Sequence, residues 1–319
     1  MTLQEIQTRI SYLINSTDAI GLTLYVVYNN NKGEEQIRLA DIDSQSGIEL
    51  KKQFLDYLQT KFLLNNELSL MNISDGDNRK NVVYNYDLVE KPEGLNSMNI
   101  ISQNDNQAQF SFSNDDFNSI KAFVIAIGTE NNKILIFKKH HHLSVLKGIT
   151  TFGIKVNDHR FVRVREDIIK LSPNIDFIQI EEELLIINLK TLESGFGFEE
   201  IIRKKSTENI DAIEAINLLE DISILRIMAT DLKNAKHFMK IKANSPVIQL
   251  PTSIVIDFVK TFKPIMHKFR LSQDGTRLKL DTKVSQKLFL SLINDDLLTS
   301  ELTKLYYEGI AKDQLVVEE

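Results

Sequence analysis

The chain changes its hydrophobic rhythm near residue 195, and that change limits the fold more than any other feature. Upstream, short apolar blocks rich in Val, Ile, Phe and Tyr alternate with breaks bearing Asn, Asp and Gly, as in "GLTLYVVYN" (21–29), "EQIRLADID" (35–43) and "AFVIAIG" (122–128). Such blocks read as strands joined by turns. Downstream of "ESGFGFEEII" (193–202) the apolar residues fall at helical spacing through 207–243 and 251–263. The expectation is an α+β protein. A largely antiparallel β-sheet with flanking helices occupies residues 1–195, and a mainly helical domain containing a β-hairpin occupies 196–319. With 319 residues and 42% hydrophobic content, two cores can be filled.

Individual elements follow from the same patterns. Leu3, Ile6, Ile10 and Leu13 predict an amphipathic N-terminal helix, and Glu5 and Arg9 interrupt any signal-peptide-like apolar core. "NNKGE" predicts the turn of a hairpin over 21–43. Ile48, Phe54, Leu55, Leu58 and Phe62 predict one helical face over 46–64. Strands are expected at 68–73 and 82–88, and "KPEGLNSMNIISQNDNQAQ" (91–109) reads as an exposed loop. A capped short helix near 113, a buried strand, an Asn-rich turn and a second strand follow. Hairpins continue through "NIDFIQIEEELLIINLK" (174–190). In the second half, Asp274-Gly275 marks the centre of a hairpin over 269–281, and a last helix fits 283–293.

There is no cysteine, which removes disulfides, thiolate zinc sites and cysteine nucleophiles together. No P-loop, GxSxG elbow, HExxH helix or HxE with paired cysteines is present. "SGFGFEE" lacks GxGxxG and reads as an aromatic-anchored turn. The longest apolar run is far short of the roughly 20 residues that cross a bilayer. No cofactor is implied, and no catalytic residue is assigned.

Charge is segregated. The net charge is −6, yet residues 121–170 carry 10 Lys+Arg against 4 Asp+Glu, and residues 231–287 carry 12 against 4. Two basic blocks in an acidic chain point to polyanion contact. The first block offers Lys138, Lys139, His140, Arg160, Arg163 and Arg165, with Arg163 and Arg165 expected on one strand face. The second offers Lys260, Lys263, Lys268, Arg270, Arg277 and Lys279 from a helix and the hairpin after it. This helix, basic connection and hairpin have the outline of a winged-helix edge, but Pro264 interrupts the helix, so no recognition helix is assigned. Lysines and arginines that replace counterions along phosphates suffice for DNA binding without base reading.

The sharpest local feature is "ILIFKKHHHLSVL" (134–146). In a strand, His140 and His142 share a face that His141 cannot join, and two imidazoles with no carboxylate in the run are too few for a metal site. The expectation is therefore a strand end whose exposed lysines rim a phosphate contact, with no metal bound. The competing chemistry is a Mg²⁺-dependent nuclease. Asp176, Glu181, Glu182 and Glu183 would hold the ion beside Lys190 on adjacent strands.

"VVYNYDLVEKPEGL" (82–95), "FSFSNDDFNSIKAFVIAIGTENNKILIFKKHHH" (110–142), "NIDFIQIEEELLIINLKTLESGFGFEE" (174–200) and "INDDLLTSELTKLYYEG" (293–309) together resemble the KwaB family of the Kiwa anti-phage system. The resemblance implies a bacterial cytoplasmic protein that works with the membrane protein KwaA, binds DNA and blocks phage replication or expression. It carries no catalytic motif. With the charge pattern, it favours a non-catalytic effector over an enzyme. Phage DNA and KwaA are the expected partners, and a homodimer or higher homo-oligomer is the expected assembly. Recruitment to the inner face of the membrane would run through the partner, and the acidic segments 1–120 and 171–230 are candidates for meeting subunits or that partner.

Overall fold

The computed structural model describes residues 1–309 apart from 31, 76–79, 93–94, 112–113, 116–118, 130–131, 141–144, 147–152, 158–159, 165–167 and 242–245. The chain is mixed α+β, with a large antiparallel sheet in its first half and mostly helices after it. Two compact units are formed. One comprises Met1–Met71, Asn81–Tyr86 and Lys91–Phe196, and the other Asn72–Lys80, Asp87–Glu90 and the chain from Gly197 onward.

In the first unit, helix α1 (Leu3–Asn15) opens with a capping box between Thr2 and Glu5 and buries Ile6, Ile10 and Leu13. Strands β1 (Gly21–Asn29) and β2 (Glu35–Leu39) form the expected hairpin. Helix α2 (Ser44–Leu58), capped by Asp43, runs on into a π-helical turn (Gln59–Leu63). Phe54, Leu55, Leu58 and Phe62 are buried as the spacing requires, whereas Ile48 is 57% exposed. Strands β3 (Ser69–Asn72) and β4 (Val82–Asn85) are followed by α3 (Asn96–Gln103). This helix corrects the expectation of an exposed loop. Leu95, Met98 and Ile101 recur every three residues and are buried, a stripe hidden in sequence by the Asn and Ser residues around it. The short helix expected near 113 falls largely outside the described residues.

Strands β5 (Ile120–Thr129) and β6 (Asn132–Lys139) are the central pair. Gly128, at φ +142° and paired with Lys133, permits their close approach, because a Cβ there would lie 2.1 Å from the Asn132 carbonyl oxygen. Two short pairs come next, β7 (Val145–Leu146) with β10 (Ile168–Ile169) and β8 (Gly153–Asn157) with β9 (Arg160–Val164). Strands β11 (Phe177–Ile180) and β12 (Glu183–Ile186) complete the sheet, whose order is β2-β1-β5-β6-β11-β12-β4-β3. One face is covered by α1, α2 and the π-helical turn, whose buried residues join Ile125, Ile127, Ile134, Ile136, Ile178 and Ile180 in one core. On the other, Phe137, Phe177 and Phe196 meet with ring centroids 5.4–5.6 Å apart. Each fully buried phenylalanine contributes about 1.5–3 kcal/mol relative to exposure. Phe196 follows α4 (Leu189–Gly195) and holds the aromatic-anchored turn that "SGFGFEE" predicts.

In the second unit, the helical stretch expected over 207–243 is broken into α5 (Phe198–Ala215), α6 (Ser223–Met228) and α7 (Leu232–Met239). Helices α8 (Pro246–Gln249) and α9 (Thr252–Thr261) follow, then the hairpin of β13 (Arg270–Leu271) and β14 (Leu278–Lys279), and α10 (Lys283–Ile293). A second hairpin, β15 (Leu297–Thr299) with β16 (Tyr306–Glu308), was not expected. Ile210, Leu225, Phe238, Val255, Ile265, Leu278 and Phe289 belong to a separate core. Among the described residues no helix is long and apolar enough to cross a membrane.

Candidate nucleic-acid interface

The end of β6 is tied into the protein. Lys138 Nζ lies 3.4 Å from Asp176 Oδ2, and its side chain is only 15% exposed. This corrects the expectation of exposed strand-end lysines. Asp176, buried just ahead of β11, also accepts the Lys139 backbone N–H at 2.9 Å, Asn188 Nδ2 at 2.9 Å and Thr191 Oγ1 at 2.9 Å. The Lys139 ammonium lies 5.4 Å from the Phe196 ring centroid and beside Gly195, a cation–π placement. His140 donates its backbone N–H to the Lys121 carbonyl at 2.7 Å and sets its ring edge-on to Phe123. Arg160 and Arg163 lie on β9, opposite Asn157 and Ile154. His141, His142 and Arg165 lie outside the described residues.

The carboxylates of the nuclease arrangement are not brought together. Asp176 and Glu181 sit at opposite ends of β11, and five residues of strand span about 16 Å. Glu181, at φ +56° in the β11–β12 turn, pairs with Arg9 of α1. Glu183 lies 3.5 Å from the Met1 amino group. Glu182 and Lys190 are exposed. Among the described residues no three His, Cys, Asp or Glu side chains are placed to hold a metal ion.

The second basic block divides into paired and unpaired charges. Arg270 pairs with Asp281 at 3.0 Å and Lys279 with Glu220 at 2.9 Å. Arg277 is half-buried beside Asp274, whose carboxyl is held down to about 2, first by the Ser272 side chain and then by Thr276. Lys260, Lys263 and Lys268 are exposed and have no acidic partner among the described residues. Their display follows from the pegs between them. Helix α9 ends at Thr261, and Phe262 stacks on Phe258 at 4.6 Å. Pro264 then lies in a turn where Phe262, Ile265 and Phe269 are buried, leaving the intervening lysines outward.

Residues 117–303 match the family described as "Kiwa protein KwaB-like". The chain belongs to this family. That makes it a component of the Kiwa anti-phage defence system. It is 28% identical over 319 residues to the Kiwa protein KwaB of Escherichia coli O55:H7 (strain RM12579 / EPEC), with 99% of each chain covered. No solved structure matches it. The KwaB-like match contains β6, Asp176 and the whole second basic block.

Within that match lies a further basic stripe. Lys233, Lys236, His237 and Lys240 fall at i, i+3, i+4 and i+7 along α7 and its cap, hence on one helix face. The spacing is legible in "LKNAKHFMK" once the helix is placed. Burial, and then Lys240 and Lys233, push the His237 imidazole below its ordinary value, so the lysines carry the charge. Asn209 of α5 fixes the helix end by donating to the Phe238 and Met239 carbonyls at 2.9 and 3.0 Å.

Proposed function

We propose that this Kiwa component binds phage DNA without sequence preference, and that the exposed lysines of 260–268 are its principal phosphate contacts. The observation that carries this reading is the absence of acidic partners for Lys260, Lys263 and Lys268 among the described residues, in a chain of net charge −6. The α7 stripe adds further positive charge. Lys260 in the last turn of α9, and Lys263 and Lys268 in the turn after it, can contact phosphates without reading bases, so binding would be driven by counterion release. Held at the inner face of the membrane by a membrane partner, KwaA, the protein would retain incoming DNA and block its replication or expression. Self-association would multiply weak contacts, raising avidity by about 10² to 10⁴.

The test is a gel-shift salt series on long duplex DNA, with and without Mg²⁺. Three phosphate contacts give a slope of about −2.7 in log K against log salt, or roughly a forty-fold loss between 50 and 200 mM. A Lys260→Gln/Lys263→Gln/Lys268→Gln chain is expected to fold normally and lose that part of the slope. An unchanged slope in the triple variant removes this surface from the reading. DNA shortened only with Mg²⁺ replaces it with nuclease chemistry.

A further inference from the structure

A cleft of about 560 Å³ opens in the second unit between α5 and the strap Asp87–Glu90. Ile201, Lys204, Lys205 and Glu208 of α5 line it, at i, i+3, i+4 and i+7 and hence on one helix face. The strap is tied at both ends. Asp87 accepts the Ser74 backbone N–H at 3.0 Å and the Ser74 hydroxyl at 2.5 Å, and Glu90 pairs with Lys204. Between these ties Leu88 and Val89 line the cleft, and Val89 is wholly exposed. Met239, buried at the end of α7, lines it too, and its carbonyl is held by Asn209. Sites for small ligands are preformed clefts of about 300–1,000 Å³ with an apolar lining and a few placed polar groups, and this cleft has that form.

The charges select the ligand. Lys204 with Glu90 and Lys205 with Glu208 are ion pairs. Asp87 is the third carboxylate of the lining and has no basic partner among the described residues, which leaves two ammonium groups against three carboxylates. Ser74 takes one acceptor site on each Asp87 oxygen, so a second lone pair on each stays open. An anion would have to open an ion pair before it met a free cation. A metal ion would lack ligands, because among the described residues no three such groups are placed to hold one. An organic ammonium meets Asp87 with both ion pairs intact, while an apolar body attached to it lies along Leu88, Ile201 and Met239 and covers Val89.

We propose that this cleft binds a small organic monocation, an ammonium carried on an apolar body, with Asp87 as its counter-ion. The site is separate from the lysines of 260–268, and its test contains no DNA, so failure here leaves the DNA reading standing.

Methyl NMR of the full chain, which has six methionines, reads occupancy through Met239, assigned with Met239→Leu. Three probes share one body: hexylamine, hexanol and hexanoate. Hexylamine is expected to move the Met239 methyl saturably and to leave the Met266 methyl, exposed in the basic turn, in place. Hexanol is expected to bind at least about fivefold more weakly, the upper range for a partly exposed ion pair, and hexanoate not to bind. Asp87→Asn can keep both bonds to Ser74, because the serine hydroxyl can accept from the new amide. It is expected to bring hexylamine down to the level of hexanol while hexanol is unchanged. Val89→Ser alters a fully exposed side chain, leaves folding intact and is expected to weaken both probes about fourfold, one methylene's worth of burial. No saturable shift of Met239 with hexylamine overturns the inference. Hexanoate binding as well as hexylamine would make the lysines the counter-ions and overturns it, as does an Asp87→Asn chain that still prefers hexylamine to hexanol.

Discussion

Replacing Asp176 with alanine separates a structural role for this carboxylate from a catalytic one. The substitution removes the acceptor of Lys139 N–H, Asn188 Nδ2 and Thr191 Oγ1 and deprives the Lys138 ammonium, 15% exposed, of that carboxylate. Breaking a buried pair in this way costs about 3–5 kcal/mol, because the remaining charge is uncompensated. For a unit of this size, about 2–4 °C per kcal/mol gives a fall in melting temperature of roughly 6–20 °C. Asp176→Asn keeps one oxygen acceptor and is expected to lose about 1–3 kcal/mol. Adding Lys138→Met to Asp176→Ala removes the orphaned charge and is expected to recover about half of the loss. Calorimetric unfolding of the three variants checks the order. A fall of less than about 2 °C in Asp176→Ala, or a double variant no better than the single, would refute the reasoning. The same geometry makes Lys138→Glu a destabilising change, since it faces one carboxylate with another.

Two further outcomes test the second unit. Phe262→Ala removes a ring 8% exposed that touches both Phe258 and Tyr306, and is expected to cost about 3–5 kcal/mol. It should also speed hydrogen exchange at the Leu298 and Tyr307 amides, and unaltered exchange would show that the hairpin is held otherwise. The Asp274 carboxyl, at about 2 against an ordinary value of about 3.9, strengthens the β13–β14 turn above the ordinary value, and that contribution is lost as pH falls through about 2. A carboxyl NMR titration should show this, with Ser272→Ala moving the midpoint up, and a wild-type midpoint near 3.9 would contradict it.

The fold class was legible because strand and helix impose different periods on burial. Ile6, Ile10 and Leu13, or Phe54, Leu58 and Phe62, declare a helix face from neighbours one turn apart. The Asp274-Gly275 turn and the 283–293 helix needed only local chemistry for the same reason. Local chemistry was ambiguous for α3, where three apolar residues in a polar run become a core face only when a sheet lies beneath them. It was insufficient for β15–β16, whose flanking acids masked two short strands. Charge by itself did not reveal which cations are available, because pairing is a property of distance in space. Lys138 and Asp176 are 38 positions apart in sequence, and only the alignment of β6 beside β11 makes them partners. Lys279 meets Glu220 across 59 positions in the same way, while Lys260, Lys263 and Lys268 face outward because Phe262, Ile265 and Phe269 are buried between them. Sequence therefore determined the elements and the sign of each block. Tertiary structure decided which charges are neutralised, because desolvation and ion pairing act through space between residues the chain brings together only on folding.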